Sequence, residues 1–195
     1  LEIRGAGNLL GPEQHGHLAT VGYDMYCKLM EETLREVQGQ PMAMQELATR
    51  VDLKVDAFLP GDYVHDERQR MEMYKRIASL RTDIEREDIE EEMIDRFGDL
   101  PAPVVNLLDI AQLRALAQGL GVAQVIYRAK GQLVMRLDQR YIPDPQLLTQ
   151  AMMDTDKRLS LTPTQPVSLM LRDPKLGEGD MLLEGVKVLK QLSAR

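Results

Sequence analysis

The densest chemistry in the sequence is EREDIEEEMIDRF, residues 85–97, where carboxylates outnumber every other residue type. Carboxylates at that density could hold a divalent cation for hydrolysis. They could also grip a basic partner, or form the solvated side of a helix. The apolar members rank these readings. Ile89, Met93 and Phe97 recur at four-residue spacing, so they share one helix face and the acids lie outside it. A solvated face comes first, a docking face for a basic partner second, and catalysis last. Carboxylates on an exposed face have no cause for perturbed pKa values. Glu92 and Asp95 are one helical turn apart and project together beside the apolar edge, an arrangement suited to an arginine.

Other candidates carry less. His15, His17 and Cys27 are potential zinc ligands, but no fourth ligand appears at a characteristic spacing, and the histidines read as loop residues. RGAGNLLG, residues 4–11, has glycines but no Lys-Ser/Thr after them, so it is not a Walker A loop. It also lacks the spacing of a dinucleotide fingerprint and reads as a Gly-rich turn entering a helix. No Ser-His-Asp, Cys-His or HExxH arrangement has supporting context. The residues alone favour an interaction or regulatory domain over an enzyme, with a carboxylate-metal hydrolase as the alternative and a DNA-binding module as the third reading.

The elements that position these residues follow from periodicity. Residues 1–18 read as loop, and a helix runs from Thr20 or Gly22 to about Val37, ended by Gly39 and Pro41. Asp52 to Leu59 alternates polar and apolar residues and predicts a strand. A helix follows over about 66–80, with Met71, Tyr74, Ile77 and Ala78 on one side. Thr82 and Glu85 form a capping-box pattern for the acidic helix, and Gly98 stops it. Pro101 and Pro103 open a third helix to about Gln118, buried through Val104, Leu107, Leu108, Ala111 and Ala115. Residues 124–128 and 132–137 predict a hairpin. DPQLLTQAMMD is a short helix, LSLT and PVSLMLR are two more strands, and Asp180 caps a final helix with Leu182, Leu183, Val186 and Leu189. Segregated strands and helices make the fold class α+β, with a small, mostly antiparallel sheet.

Composition bounds the function. The net charge is −7, so the chain as a whole repels phosphate and anionic membranes, although a small basic spot could still touch DNA. Aromatics are few and tryptophan is absent, so the core must be aliphatic. The single cysteine cannot form an internal disulfide, which fits a reducing cytoplasm. No apolar run approaches a membrane span and no signal-peptide pattern is present, so no membrane partner is expected. Leu1 begins in mid-motif and reads as the start of a fragment of a longer chain.

EIRGAGNLLGPEQHGH closely resembles the motif that follows the helicase motifs in bacterial transcription-repair coupling factors. VDLKVDAFLPGDYVHDERQRMEMYKRIASL and EEMIDRFGDLPAPVVNLLDIAQLRALAQGLGV resemble the C-terminal domain of the same family, in the same order. The resemblance implies three parts. Residues 1–40 are the translocation-motif segment, the helical tail of the motor. Residues 41–51 are a linker, and 52–195 a compact α+β regulatory domain. It implies that Arg4 and Gln14 couple ATP hydrolysis to movement on DNA, with ATP and Mg2+ bound in the parent protein and no cofactor in this chain. His15-Gly16 stands where the family often has Ser-Gly. For the regulatory domain it implies docking on a UvrB-like domain of the same protein through Glu92 and Asp95. That contact would mask the surface that binds UvrA and restrain the motor until RNA polymerase is engaged. RNA polymerase and double-stranded DNA are partners of the parent protein. Beyond about Leu137 the resemblance is looser.

Overall fold

The computed structural model describes residues 49–139, 144–162 and 166–193. Arg4 and Gln14, the helix expected over 20–37 and most of the expected linker lie outside them. Among the described residues a five-stranded mixed sheet carries five helices. The strands are β1 (Arg50–Asp52), β2 (Val122–Arg128), β3 (Gln132–Leu137), β4 (Leu159–Thr162) and β5 (Ser168–Arg172). Their spatial order is β1-β2-β3-β5-β4. The β1–β2 pair is parallel and the other three are antiparallel. The α+β class with a mostly antiparallel sheet is therefore observed.

The first strand departs from the sequence reading. The ladder occupies Arg50–Asp52, and residues 53–59 are irregular rather than strand. Leu53, Ala57 and Leu59 are nonetheless buried while Lys54 and Asp56 are exposed. An extended segment lying on a core shows period-two burial whether or not its backbone joins a ladder. Here the backbone groups find other partners. Phe58 N donates to Pro103 O at 3.2 Å, Leu59 N to the Tyr74 hydroxyl at 2.9 Å, and Asn106 Nδ2 to Asp56 O at 2.9 Å. At the other end, the Thr49 hydroxyl is buried and donates to Val122 O at 2.7 Å. The sheet thus includes Arg50 and Val51, which the sequence had assigned to the linker.

Three helices follow: α1 (Glu67–Ala78), α2 (Asp83–Phe97) and α3 (Ala102–Gly119). The Asp66 carboxylate caps α1 by accepting from Gln69 N at 2.9 Å. Met73 and Ile77 are its fully buried residues, whereas Met71, expected inside, is exposed. Counting from Ile77, Met73 lies one turn away on the same face, and Met71 is rotated off it. Helix α3 is buried as expected through Val104, Leu107, Leu108 and Ala111, with Ala115 half-buried.

The last helices are α4 (Pro145–Asp154), capped by Asp144, and α5 (Glu178–Ser193). Asp180 does not cap α5. The helix begins two residues earlier, with Met181 N donating to Gly177 O at 3.0 Å, so Asp180 sits in its first turn. Leu183 is exposed and Met181 takes the buried place. Helices α3 and α5 pack together and against one face of the sheet. That face presents Val125, Leu133, Met135, Leu159, Leu169 and Leu171, all buried. The approach of α5 is close: a Cβ on Gly185 would stand 2.5 Å from Leu133 Cδ2 and 3.2 Å from Leu113 Cδ1.

Candidate docking face on an acidic helix

Local sequence fixes both ends of α2. The Thr82 hydroxyl accepts from Glu85 N at 3.2 Å, and Glu85 Oε2 accepts from Thr82 N at 3.1 Å, closing the capping box. Arg81 N donates to the same carboxylate oxygen at 2.7 Å. These backbone donors, Arg81 first, lower the Glu85 pKa. At the other end Gly98, at φ 89°, donates to Ile94 O at 2.9 Å and turns the chain away.

The inner side of α2 is locked to α3 and α5. Ile89 and Met93 are buried, and Phe97 is half-buried with its ring edge-on to Tyr63 at 5.8 Å. Beside them runs a polar chain across three helices. Arg86 Nη2 lies 2.7 Å from Asp109 Oδ1 on α3, and Arg86 also donates to Gln112. Gln112 Nε2 donates to Asp83 Oδ1 at 2.5 Å, and Lys190 on α5 pairs with Asp83 at 2.8 Å. Asp109 and Gln112 are buried. Burial raises the Asp109 pKa, opposed by Arg86. Asp83 is shifted down, chiefly by its bond from Lys190. Arg86 Nη2 meets Asp109 Oδ1 as a charge pair rather than a well-aligned hydrogen bond, which leaves that oxygen without a directed donor.

The two predicted docking residues separate here. Glu92 accepts from Arg96, one turn along, at 2.6 Å, and from Arg76 on α1. These bonds, Arg96 first, lower its pKa against the opposing effect of burial. The arginine grip expected of Glu92 is therefore made, but with arginines of its own domain. Asp95 is exposed and has no partner among the described residues. It belongs to a ridge with Glu87, Asp88 and Glu91, all exposed, which follows the helical repeat. Two exposed isoleucines flank the acids on this ridge, Ile84 (70% exposed) and Ile94 (45%). Neither isoleucine is among the residues the sequence reading singles out. Their signal was present, since each is an apolar residue out of phase with Ile89, Met93 and Phe97.

No group of three or more His, Cys, Asp or Glu is placed to hold a metal ion among the described residues. The carboxylates of 85–97 fan out around a helix or bond to arginines, so they do not fit a hydrolytic metal centre. No helix among the described residues is long and apolar enough to cross a membrane.

Comparison with known proteins places this architecture. A family model described as the TRCF domain matches residues 53–148, from the irregular segment after β1 into α4. The transcription-repair-coupling factor of Escherichia coli K12 is 41% identical over 146 residues, 73% of this chain. Those of Bacillus subtilis 168 and Staphylococcus aureus USA300 are 40% identical over 118 residues (60% of the chain) and 35% over 173 (88%). The chain belongs to the transcription-repair coupling factor family. A crystal structure of the C-terminal domain of a transcription-repair coupling factor superposes with a TM-score of 0.66 at 24% identity. It covers 75% of this chain and 92% of that one, and the likeness shows the same fold. The chain spans 13%, 10% and 14% of the three relatives' own lengths. It carries the C-terminal domain of a transcription-repair coupling factor.

Proposed function

We propose that this domain is the autoinhibitory module of its parent protein, docking on a UvrB-like domain of the same chain and masking UvrA binding. The observation that supports the reading is the outer ridge of α2. It has exposed acids with no partner among the described residues, among them Asp95, bracketed by exposed Ile84 and Ile94. A reversible internal lock needs moderate affinity, and a charged ridge with a few apolar contacts supplies specificity without a large apolar patch. Polymerase engagement would then bias a two-state contact. In this reading Asp95 makes the interdomain arginine contact. Glu92, already held by Arg76 and Arg96, sets the edge of the face and orients the two arginines beside it.

The relatives' name, transcription-repair-coupling factor, supports placing the domain in DNA repair. Arg4 and Gln14 are proposed to couple ATP hydrolysis, with Mg2+, to translocation on double-stranded DNA in the intact protein. This chain alone is expected to hydrolyse no ATP. A cytoplasmic location and contact with RNA polymerase belong to the same proposal.

The test is titration of the purified UvrB-like domain into this chain, read by calorimetry, with UvrA as competitor. Asp95→Arg is expected to weaken binding about tenfold or more, by reversing a contact charge. Glu92→Gln is expected to weaken it less. Binding that ignores Asp95→Arg, or UvrA that fails to compete, would sink the docking assignment. The carboxylate-metal alternative predicts heat from magnesium or manganese in the same cell.

A further inference from the structure

Helix α2 is thinly anchored by apolar contact. Of its fifteen residues only Ile89 and Met93 are buried. Its neighbour α3 buries nine, and seven of those are apolar. The two exceptions, Asp109 and Gln112, both meet one residue of α2, Arg86.

Apolar contact has no direction, and a methionine adapts to many packings. Ile89 and Met93 therefore hold α2 against α1 and α3 without fixing its rotation closely. Two further anchors are equally permissive. At the C-terminal end the Tyr63 hydroxyl donates to Met93 O at 3.2 Å and to Gly98 O at 2.9 Å. Helix carbonyls lie along the axis, so a bond to Met93 O holds the end in place and still lets the helix turn. Midway, Glu92 meets Arg76 across the seam with α1, but the two side chains are 28% and 40% exposed and water screens the pair.

Arg86 differs from these in kind. Its guanidinium is a planar fork with donors at fixed angles. Nη2 lies 2.7 Å from Asp109 Oδ1, and Nη1 donates to Gln112 Oε1. Gln112 donates in turn to Asp83, one turn back on α2, and Lys190 of α5 reaches Asp83 as well. Glu90, one turn on, lies 3.8 Å from Arg86 Nε. The Asp109 side chain is only 4% exposed. A buried pair of this kind is a poor source of stability, because desolvation offsets its attraction. Its geometry, unlike that of the apolar contacts, is directional.

We infer that Arg86, Asp109 and Gln112 are positioning residues: their contact sets the rotation of α2 about its own axis, and with it the direction in which the outer ridge points. Small rotations matter here. Turning α2 by about 30° would swing a carboxylate at its outer radius, about 5–6 Å, through about 3 Å, the length of a hydrogen bond. A ridge so displaced no longer meets donors placed for Asp95. The consequence for docking rests on the function proposed above, and the rotation itself does not.

Three isoleucines of α2 report its rotation. Ile84 is 70% exposed, Ile94 45% and Ile89 4%. The measurement is NMR of isoleucine methyl groups in the full chain, with relaxation by a soluble paramagnetic chelate as the gauge of exposure. Arg86→Met, Asp109→Leu and Gln112→Leu are combined, so that apolar side chains of similar size replace the polar contact. The triple variant should keep or raise the urea midpoint of unfolding, because no buried charge is left stranded. The contrast between Ile89 and the other two isoleucines should nonetheless shrink, and binding of the UvrB-like domain should weaken about tenfold. A lower midpoint with the methyl contrast and the docking kept would make the contact purely structural and overturn the proposal. Asp109→Asn, which keeps the shape and removes the charge, replaces the triple variant if that one does not fold. It is read by the same methyl contrast, and an unchanged contrast overturns the proposal there too. A shrunken contrast with docking unaltered supports the set rotation and removes the ridge from the docking face. Failure of the unaltered chain to dock at all removes the proposed function and leaves the methyl contrast to decide the rotation.

Discussion

On the inner side of α2, Asp83 is held by Gln112 and Lys190, and Arg86 reaches across to the buried Asp109. On the outer side, Asp88, Glu91 and Asp95 stand in solvent without a partner among the described residues. The residue types are the same and the helix is the same. Only rotation about the helix axis separates a structural carboxylate from one left open for a partner. Glu92 lies between the two, partly exposed and shared by Arg76 and Arg96. Acidic density along a helix is therefore a poor guide to function until each carboxylate's own partner is known.

Breaking the inner side should cost most. Met93→Ala is expected to destabilise the domain by about 3 kcal/mol through the cavity it leaves. Ile94→Ala, one residue on and exposed, should change stability by less than about 0.5 kcal/mol. Urea unfolding of the pair measures the contrast, and equal effects would erase the distinction between the two sides. Arg86→Ala comes next, at about 2–3 kcal/mol, because it strands Asp109 and Gln112 in the interior. A midpoint close to that of the unaltered chain would show that the polar chain is not structural.

Acidity offers a second axis of comparison. The Asp109 pKa is raised by burial, so the folded state binds its proton more tightly than the unfolded state. Stability from this group falls as pH rises from the ordinary aspartate range, about 4, through the folded pKa. Asp83 and Glu92 have lowered values, so their stabilisation is present above the ordinary carboxylate range and is lost as pH falls through their folded pKa values. Unfolding followed against pH should show Asp109→Asn removing the decline on the alkaline side of that range. Glu92→Gln should remove part of the loss on the acid side.

The smallest stability effects belong to the face proposed for docking. Glu92→Gln should cost about 1 kcal/mol or less, discounted for the solvent that reaches the site. Asp95→Asn should cost about 0.5 kcal/mol or less, while still weakening the UvrB-like contact. A large loss of stability from Asp95→Asn would mean that it has a structural role after all.

Much of this fold was legible residue by residue. The capping box of Thr82 and Glu85, the stop at Gly98 and the prolines opening α3 are local features, closed within one helical turn. The hairpin of β2 and β3 also follows from neighbouring residues. The departures occur where a distant surface decides. Residues 53–59 alternate like a strand, but their backbone bonds to α3 and Tyr74 instead of a neighbouring strand. Met71 and Leu183 satisfy a helical pattern read in isolation, yet Met73 and Met181 occupy the core because packing sets the phase of each helix. At the docking face, the one-turn spacing of Glu92 and Asp95 was visible in sequence. The sequence order did not show that Arg76, sixteen residues away on another helix, takes up one of them.

Sequence alone determined the family, the α+β class, the helix ends and the acidic character of α2, since these depend on local chemistry and composition. Tertiary structure decided which acids of α2 lack a partner among the described residues and which isoleucines stay outside the core. Those outcomes depend on through-space distance, which strand register and helix packing set and which the order of residues does not display.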